Sequence, residues 1–328
     1  METILITGGA GFIGSHVVEK LLGQDKKVVC LDNFDPFYDP SIKRANLAHA
    51  VKNKNFHLVE DDILNRAVLD KLFREHRIET VFHCAARAGV RPSIQDPFSY
   101  QKVNVEGTLN LLEAARTYRI RNFVFASSSS VYGAGSRLPF TEEDPADRPL
   151  SPYAATKRAG ELLCHTYHHL YGLPVTSLRF FTVYGPRQRP EMAIHQFTRL
   201  IDLGKPLTLY GDGTSSRDYT HIDDIVEGVL AALSAPIGSE VINLGGSRVT
   251  ELRQLVILIE KALGKKATVE FRPEQAGDVP ITFADVGKAR RLLGYEPRTP
   301  IEEGIQKFVE WYKRGSGSAS PSAGHGGM

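Results

Sequence analysis

A tyrosine and a lysine four residues apart are the first candidates for chemistry in this sequence. The stretch "SPYAATK" places Tyr153 and Lys157 at the start of a predicted helix, so both side chains lie on one face. A tyrosine with its usual pKa of about 10 is a poor base at neutral pH, but a neighbouring ammonium group stabilises the phenolate and lowers that pKa. Because this spacing is common by chance, it indicates a catalytic pair only when other parts of a site accompany it.

A run of four serines precedes this helix and supplies hydroxyl groups. The stretch "FASSSSVYG" follows an apolar run that is typical of a buried strand, and the serines occupy positions 127–130. A serine that faces the tyrosine could share the proton of a substrate hydroxyl with the phenolate. No acid stands among the four positions.

A glycine-rich segment predicts a site for a dinucleotide. "TGGAGFIG" follows the first predicted strand and opens the first predicted helix, and its Gly8, Gly11 and Gly14 permit a tight turn close to a pyrophosphate. Asp32 ends the second strand roughly 20 residues further on, where a carboxylate binds ribose hydroxyls and repels the 2′-phosphate of NADP. The sequence therefore predicts a site for NAD. The alternative is that Asp32 only begins a turn before Asn33.

Six short apolar runs alternate with amphipathic helical patterns through the first half of the chain. Strands buried on both faces are predicted over residues 3–7, 27–32, 56–61, 80–86, 122–128 and 175–181. The clearest helices between them are predicted over residues 13–22, 105–116 and 153–171. This alternation predicts a Rossmann-type α/β fold with a doubly wound parallel sheet and right-handed crossovers.

Beyond about residue 185 the alternation breaks, since prolines and glycines separate shorter elements, with further helices predicted over residues 223–233 and 251–263. We therefore expect an NAD-binding Rossmann domain over residues 1–180, interleaved with later segments, and a smaller C-terminal substrate-binding lobe over residues 181–314. The Gly/Ser-rich residues 315–328 are predicted to be a disordered tail.

The composition is that of an ordinary globular protein with no nucleic-acid partner. Hydrophobic residues make up 42% and charged residues 24% of the 328 positions, and the net charge of +2 gives no electrostatic case for nucleic-acid binding. The three cysteines are far apart, and the histidines of the longest helix lack an acidic ligand at matching spacing, so no metal site is predicted. No stretch of 18 apolar residues exists and Met1 leads directly into a strand, which predicts a soluble, cytoplasmic protein with no membrane partner.

Together these motifs resemble the extended short-chain dehydrogenase/reductase family and, within it, the nucleotide-sugar 4-epimerases. The resemblance extends roughly over residues 2–312 and rests on "TGGAGFIGSH", "DDI", "HCAARAGVRPS", "VNVEGT", "SSSSVYG", "SPYAATK", "RFFTVYGPRQRP" and "GDGTSSRDYTHIDD". It implies that Ser128, Tyr153 and Lys157 are catalytic and that tightly bound NAD oxidises C4 of a UDP-hexose, which is then reduced from the opposite face. It also implies a homodimer that pairs through the helices at 105–116 and 153–171.

The resemblance and the glycine-rich segment together assign the binding residues. The residues expected at the cofactor are Gly8, Gly11, Phe12, Ile13, Gly14, Asp32, Asn33, Asp62, Ile63, Ala85, Ala86, Asn104 and Ser127, with Tyr153 and Lys157. The residues expected around the UDP-sugar are Arg91, Ser129, Ser130, Thr182, Arg189, Arg217, Tyr219 and Asp278.

Two departures from related sequences bear on the reaction and the sugar. Related dehydratases carry acids where this chain has Ser129 and Ser130, so no dehydration is expected. Glucose-type epimerases resemble R-Y-F-N where this chain has Thr182, whereas "TVYGPRQRP" is similar to the UDP-glucuronate 4-epimerases, in which Arg189 would hold the substrate carboxylate.

UDP-glucuronate is therefore the expected substrate. In the alternative, Arg187 and Arg189 both serve the diphosphate or a surface ion pair. A UDP-glucose/UDP-galactose 4-epimerase, a UDP-glucuronate decarboxylase and a non-catalytic NAD-binding regulator are the other functions that such a sequence leaves open.

Overall fold

Strands and helices alternate along the first half of the chain in the computed structural model, which describes residues 2–133, 136–273 and 279–316. The strands are β1 (Thr3–Thr7), β2 (Lys27–Asp32), β3 (Phe56–Glu60), β4 (Thr80–His83), β5 (Asn122–Ser128), β6 (Val175–Phe180), β7 (Thr182–Tyr184), β8 (Leu207–Tyr210), β9 (Ser216–Arg217), β10 (Tyr219–His221), β11 (Ser239–Leu244), β12 (Thr250–Glu251) and β13 (Val269–Arg272). The α-helices are α1 (Phe12–Leu22), α2 (Pro40–Asn46), α3 (Arg66–His76), α4 (Val90–Gln95), α5 (Pro97–Gln101), α6 (Gly107–Thr117), α7 (Pro152–Tyr171), α8 (Ala193–Asp202), α9 (Ile222–Ser234), α10 (Leu252–Leu263), α11 (Gly287–Leu293) and α12 (Ile301–Ser316).

Seven parallel strands form the main sheet, in the order β11-β6-β5-β4-β1-β2-β3. All five residues of β1 are buried, which is why its three central residues, 4–6, are all apolar without alternation. Successive residues of a strand point to opposite faces, so Ile4 and Ile6 pack in one apolar core and Leu5 in another. The first core includes residues of α1 and α9, and the second includes residues of α3, α6 and α7. The predicted α/β fold with a doubly wound parallel sheet is confirmed.

The second half of the chain contributes both to this sheet and to a separate core. Strand β11 pairs with β6 at the sheet edge. A third apolar core gathers α8, α10 and α12, with Phe197, Leu255 and Phe308 among its buried members. Short two-stranded pairings, β7 with β10, β8 with β13 and β9 with β12, lie outside the main sheet.

All strands of the sheet are parallel, but the order in which the chain adds them reverses at β1. This reversal places a crevice at the carboxyl end of β1. The chain runs outward from β1 through β2 to β3 on one side and from β4 to β6 on the other. Loops at such a switch point diverge and leave room for a ligand. Two boundaries differ from the expected ones by two or more residues: β4 ends at His83 instead of residue 86, and α6 begins at Gly107 instead of residue 105, after a π-helical turn at Lys102–Glu106.

Across the described ranges, none of the helices has the length and apolar character that crossing a membrane requires.

Candidate active site

At Gly8 in the turn after β1, and at Gly14 in the first turn of α1, the backbone packs too closely against its neighbours for a side chain to fit. Gly8 has a φ of +69°, and a Cβ there would lie 2.7 Å from the backbone nitrogen of Ala85. A Cβ on Gly14 would lie 2.3 Å from the carbonyl oxygen of Gly8. Helix α1 then begins at Phe12, with no side-chain cap on its first N–H groups from the described part of the chain. An uncapped helix start behind a glycine turn fits a phosphate group.

A cavity of about 400 Å³ opens beside this turn and gathers most of the predicted site. The predicted residues that line it are Gly8, Gly11, Phe12, Ile13, Gly14, Asp32, Asn33, Asp62, Ile63, Ala85, Ala86, Ser127, Ser129, Ser130, Tyr153, Lys157, Thr182 and Arg189.

Asp32 closes one end of the cavity with a buried carboxylate. Its two oxygens accept hydrogen bonds from the backbone N–H groups of Ala10 (3.0 Å) and Phe34 (2.9 Å). Burial raises the pKa of Asp32, and these two N–H groups oppose that rise. Beside it, the Asn33 amide donates to Asp62 Oδ2 at 2.7 Å. The uncapped helix start and the acidic wall together fit a dinucleotide with unsubstituted ribose hydroxyls, which is NAD.

Lys157 and Tyr153 lie in the first two turns of α7 and line the cavity. The Lys157 ammonium group donates to the carbonyl oxygen of Ala126 in β5 at 2.7 Å, and burial lowers the pKa of Lys157 to about 8. Burial raises the pKa of Tyr153, and the Ser128 hydroxyl and the positive charge of Arg189 offset part of the rise. The lowering of the Tyr153 pKa by Lys157, expected from their spacing, is not found, because the ammonium group is directed to Ala126.

The four serines divide into three environments. Ser127 donates its hydroxyl to Glu161 Oε1 at 2.5 Å and is buried. Ser128 is the serine that interacts with the Tyr153 phenol, and its oxygen also accepts the backbone N–H of Ser130 at 3.2 Å. Ser129 and Ser130 line the cavity. Only Ser128 therefore combines a place at the strand end with a contact to the tyrosine.

Two arginines near the end of β7 lie in different environments. Arg187 donates from Nη2 to Glu19 in α1 at 2.7 Å, outside the cavity lining. Arg189 lines the cavity, and its guanidinium carbon lies 6.0 Å from the Phe37 ring centroid. Glu191 Oε1 lies 2.9 Å from Arg189 Nε but off the N–H direction, so this buried N–H has no hydrogen-bond acceptor in the described ranges. The cavity lining thus includes a guanidinium group that is ion-paired with Glu191 and keeps one buried N–H without an acceptor.

Asn104 lies behind the cavity wall and not in it. Its side-chain oxygen accepts the backbone N–H of Arg87 (2.8 Å), and its amide donates to the carbonyl of Arg87 (3.0 Å). This pair of bonds fixes the segment after β4, which carries Ala85 and Ala86.

Four residues expected around the UDP-sugar are not in the cavity lining. The Arg91 guanidinium lies 5.0 Å from the Tyr210 ring centroid. Arg217 donates to the carbonyl oxygens of Ser216 and Pro280, at 3.0 and 3.3 Å. Tyr219 packs edge-on against Tyr184, at 6.3 Å between ring centroids. The fourth, Asp278, lies outside the described residues.

Comparison with known proteins agrees with this geometry. Residues 4–245 match the profile of the NAD dependent epimerase/dehydratase family. The chain belongs to this family. Among curated family members, the UDP-glucuronate 4-epimerase of Thermodesulfobacterium geofontis is 46% identical over 314 residues, which cover 95% of this chain and 97% of that protein.

Solved structures of epimerases are also similar to this chain over nearly its whole length. The UDP-glucuronic acid 4-epimerase of Bacillus cereus, in complex with UDP-glucuronic acid and NAD, superposes with a TM-score of 0.90 at 41% identity, covering 95% of this chain and 99% of that one. The UDP-glucose 4-epimerase of Thermotoga maritima with UDP-glucose gives a TM-score of 0.89 at 35% identity, covering 96% and 99%.

Several cavity residues of this epimerase/dehydratase family member were not predicted from its sequence. They are Asp35, Phe37, Tyr38, Lys43 and Arg87. Arg87 stands inside the quoted stretch "HCAARAGVRPS", and two adjacent aromatic residues in the loop after β2 were a signal that this loop packs against something. In the described ranges, no group of three or more His, Cys, Asp or Glu side chains is placed to hold a metal ion.

Proposed function

We propose that this chain catalyses the NAD-dependent epimerisation of UDP-glucuronate to UDP-galacturonate at C4. The observation that carries the proposal is the position of Arg189 and Thr182, a cation and a hydroxyl, in the same cavity as Tyr153 and three of the four serines. A neutral hexose needs no such cation, whereas an arginine suits the C5 carboxylate of glucuronate. The similarity to UDP-glucuronate 4-epimerases supports the same substrate.

Proton handling falls to Tyr153 and Ser128 in this proposal. The chemistry that NAD supplies when bound is reversible oxidation of the C4 alcohol to a ketone. In its phenolate form, Tyr153 would take the proton of the C4 hydroxyl as the alcohol is oxidised and return it on reduction, and Ser128 would share that proton through its contact with the phenol. The Lys157 ammonium group, one helical turn after Tyr153 on α7, is held by the Ala126 carbonyl.

Holding the carboxylate also protects the intermediate. Oxidised at C4, glucuronate is a β-keto acid, and it loses CO₂ when the bond from C5 to the carboxylate aligns with the carbonyl π system. Arg189 and Thr182 hold the carboxylate out of that alignment while the 4-keto sugar turns over. Ser129 and Ser130 line the cavity where an elimination would need an acid and a base, so 4-keto-6-deoxy sugar is not expected as a product.

The nucleotide half of the substrate is assigned to the C-terminal lobe at residues 181–314. We propose that Arg217 and Tyr219 lie around the UDP, because Tyr219 in β10 pairs with Thr182 of β7, which lines the cavity, and Arg217 is two residues before Tyr219. Arg91 and Asp278 complete this set as predictions.

A second copy of the chain is the proposed partner. Helices α6 and α7 pack side by side, yet both leave large apolar side chains in solvent: Leu109, Leu162, Leu170 and Tyr171. The largest exposures, 52% for Leu162 and 59% for Leu170, are eight residues apart on α7 and therefore lie on one side of it. Two such helices from each copy would bury these faces in a four-helix contact.

The test is to incubate the purified protein with UDP-glucuronate, UDP-glucose or UDP-N-acetylglucosamine, without added NAD, and to separate the products by chromatography. We expect UDP-galacturonate as the major product and no net change in absorbance at the wavelength of reduced nicotinamide. The second candidate is a UDP-glucose 4-epimerase, favoured by the similarity to the Thermotoga maritima enzyme. Faster turnover of UDP-glucose would replace the first candidate with the second.

A further inference from the structure

The loops after β2 and β4 lie on either side of the glycine turn. Strand β1 is between β2 and β4 in the sheet, so its turn is flanked by the segments that follow Asp32 and His83. Asp35 comes from the first segment and Arg87 from the second, and both line the cavity. A dinucleotide seated on the glycine turn therefore lies between these two segments.

An ion pair joins the segments across the cavity. Arg87 Nη1 lies 3.4 Å from Asp35 Oδ2, and the side chains are 30% and 32% exposed. The Arg87 Nε atom is buried and has no hydrogen-bond acceptor in the part of the chain that the structure describes. The pair is thus a contact at the rim of the cavity, with one face to solvent and the other to the cavity.

Each end of this pair is anchored in its own segment. The Arg87 backbone is held by both groups of the Asn104 amide. The Asp35 backbone donates to Asn33 Oδ1 (3.0 Å), and its carbonyl accepts from Lys43 Nζ (2.8 Å). Because both backbones are fixed, opening the rim requires separation of the two side chains and no rearrangement of the loops.

We propose that Asp35 and Arg87 are positioning residues that form a strap over bound NAD and slow its release. An epimerase restores NAD in every cycle, so release serves no step of the reaction and a closed rim costs no turnover. The inference rests on the NAD site and not on which sugar is the substrate. The competing role for Arg87 is direct binding of a phosphate, in which case Asp35 would compete with the dinucleotide for the guanidinium group.

The experiment uses full-length protein loaded with NAD, diluted and filtered at intervals, with NAD in the filtrate assayed enzymatically. If the pair is a strap, D35N and R87Q each speed NAD release about twofold to fivefold, the effect of losing a partly exposed ion pair. The double variant D35N/R87Q releases NAD no faster than either single variant, and the exchange D35R/R87D restores part of the retention. Release from the wild type quickens with added salt, and release from D35N does not.

A matched control is E303Q, which removes an exposed ion pair with Lys307 on α12, a helix that contributes nothing to the cavity lining. Its NAD release should equal that of the wild type. The strap is ruled out if D35N leaves NAD release unchanged or slows it. If D35N slows NAD release while R87Q speeds it, Arg87 is a phosphate ligand and not part of a strap. Turnover of each UDP-sugar in excess NAD reports separately on the proposed substrate, so the two proposals can fail independently.

Discussion

Arg179 and Glu161 form a bidentate ion pair beneath the end of β5. Arg179 Nε donates to Glu161 Oε1 at 2.9 Å and Nη2 donates to Oε2 at 2.8 Å, and both side chains are buried. Burial alone would raise the pKa of Glu161, but the hydrogen bonds and charge of Arg179, together with the Ser127 hydroxyl and the charge of Arg158, outweigh it and lower that pKa. Glu161 also accepts the Ser127 hydroxyl and lies one helical turn after Lys157. The pair therefore fixes the elements that present both Ser128 and Lys157.

Replacing Glu161 by Gln should destabilise the fold. The side chain keeps its shape, but Arg179 is left as a buried charge without a counterion, a loss of about 3–5 kcal/mol. Urea unfolding at neutral pH measures this loss, and E303Q, which removes an exposed i,i+4 pair, should lose about 0.5 kcal/mol or less. If E161Q has the same unfolding free energy as the wild type, the Arg179–Glu161 pair does not stabilise the elements that present Ser128 and Lys157.

The fold could be predicted from the sequence because its signals are local. Each of the six apolar runs predicted a strand that the structure contains. The three longest predicted helices begin and end within about two residues of the observed helices. The end of β4 was misplaced because residues 84–86 are small and apolar like a strand, yet they turn away to line the cavity. Nothing in their composition distinguishes the two arrangements.

The site could be predicted only in part, since several of its properties arise from tertiary packing. The glycine turn, Asp32, Tyr153 and the serines stand in motifs whose spacing brings them together. The Asp35–Arg87 contact joins residues 52 positions apart, and no periodicity signals such a pair. The sign of the Tyr153 pKa shift depends on how deeply the phenol is buried, which a four-residue spacing cannot report.

Tyr153→Phe should lower the rate of UDP-glucuronate epimerisation by about 10²–10⁴-fold, because the variant keeps the ring but loses the group that moves the proton. NAD content, assayed after denaturation, should stay at the wild-type level. Near-normal turnover would exclude Tyr153 as the base.

Ser128→Ala should cost less than Tyr153→Phe, because the tyrosine still carries the proton. Ser129→Ala is the matched control within the same serine run, and we expect it to be the milder of the two serine variants. A larger loss for Ser129→Ala would assign the shared proton to Ser129.

Leu162→Glu should break the proposed dimer without harming the fold. The side chain is 52% exposed in the single chain, so a charge there costs little until a second copy covers it. Light scattering should give the mass of one chain for this variant and of two for the wild type. Ile257→Glu on α10, at 53% exposure, is a matched control that should leave the dimer intact. A monomeric wild type would contradict the proposed contact.

Arg189→Ala should slow UDP-glucuronate turnover selectively, by roughly tenfold to hundredfold, the value of a charge-assisted contact. Loss of the grip on the carboxylate should also release some decarboxylated pentose product, visible by chromatography. Arg187→Ala is the control, because Arg187 pairs with Glu19 outside the cavity lining, and it should leave the ratio of glucuronate to glucose turnover unchanged. An equal loss on both sugars for Arg189→Ala would favour the UDP-glucose epimerase.

Lys157→Met should abolish most turnover and yet stabilise the protein near neutral pH. Burial lowers the pKa of Lys157 from 10.5 to about 8, so the folded state holds this proton less tightly than the unfolded chain. The charged lysine therefore costs stability in full below about pH 8, by about 3 kcal/mol, and this cost falls to nothing as the pH rises towards 10.5. Lys157→Met also loses the hydrogen bond to Ala126, and this loss offsets about 1 kcal/mol of the stability that the variant gains by removing the buried charge.

The measurement for this variant is the difference in unfolding free energy between Lys157→Met and the wild type, taken by urea titration at several values between pH 7 and 10.5. Groups common to both proteins cancel in that difference, so the advantage of the variant should shrink steadily with rising pH and reverse at the top of the range. Lys307→Met is the control, because hydrogen bonding to Glu303 raises the pKa of Lys307, and a raised pKa gives a pH dependence of stability opposite in sign to that expected for Lys157. A difference for Lys157→Met that stays constant with pH would mean that burial does not lower the pKa of this lysine in the folded protein, and it would contradict the prediction.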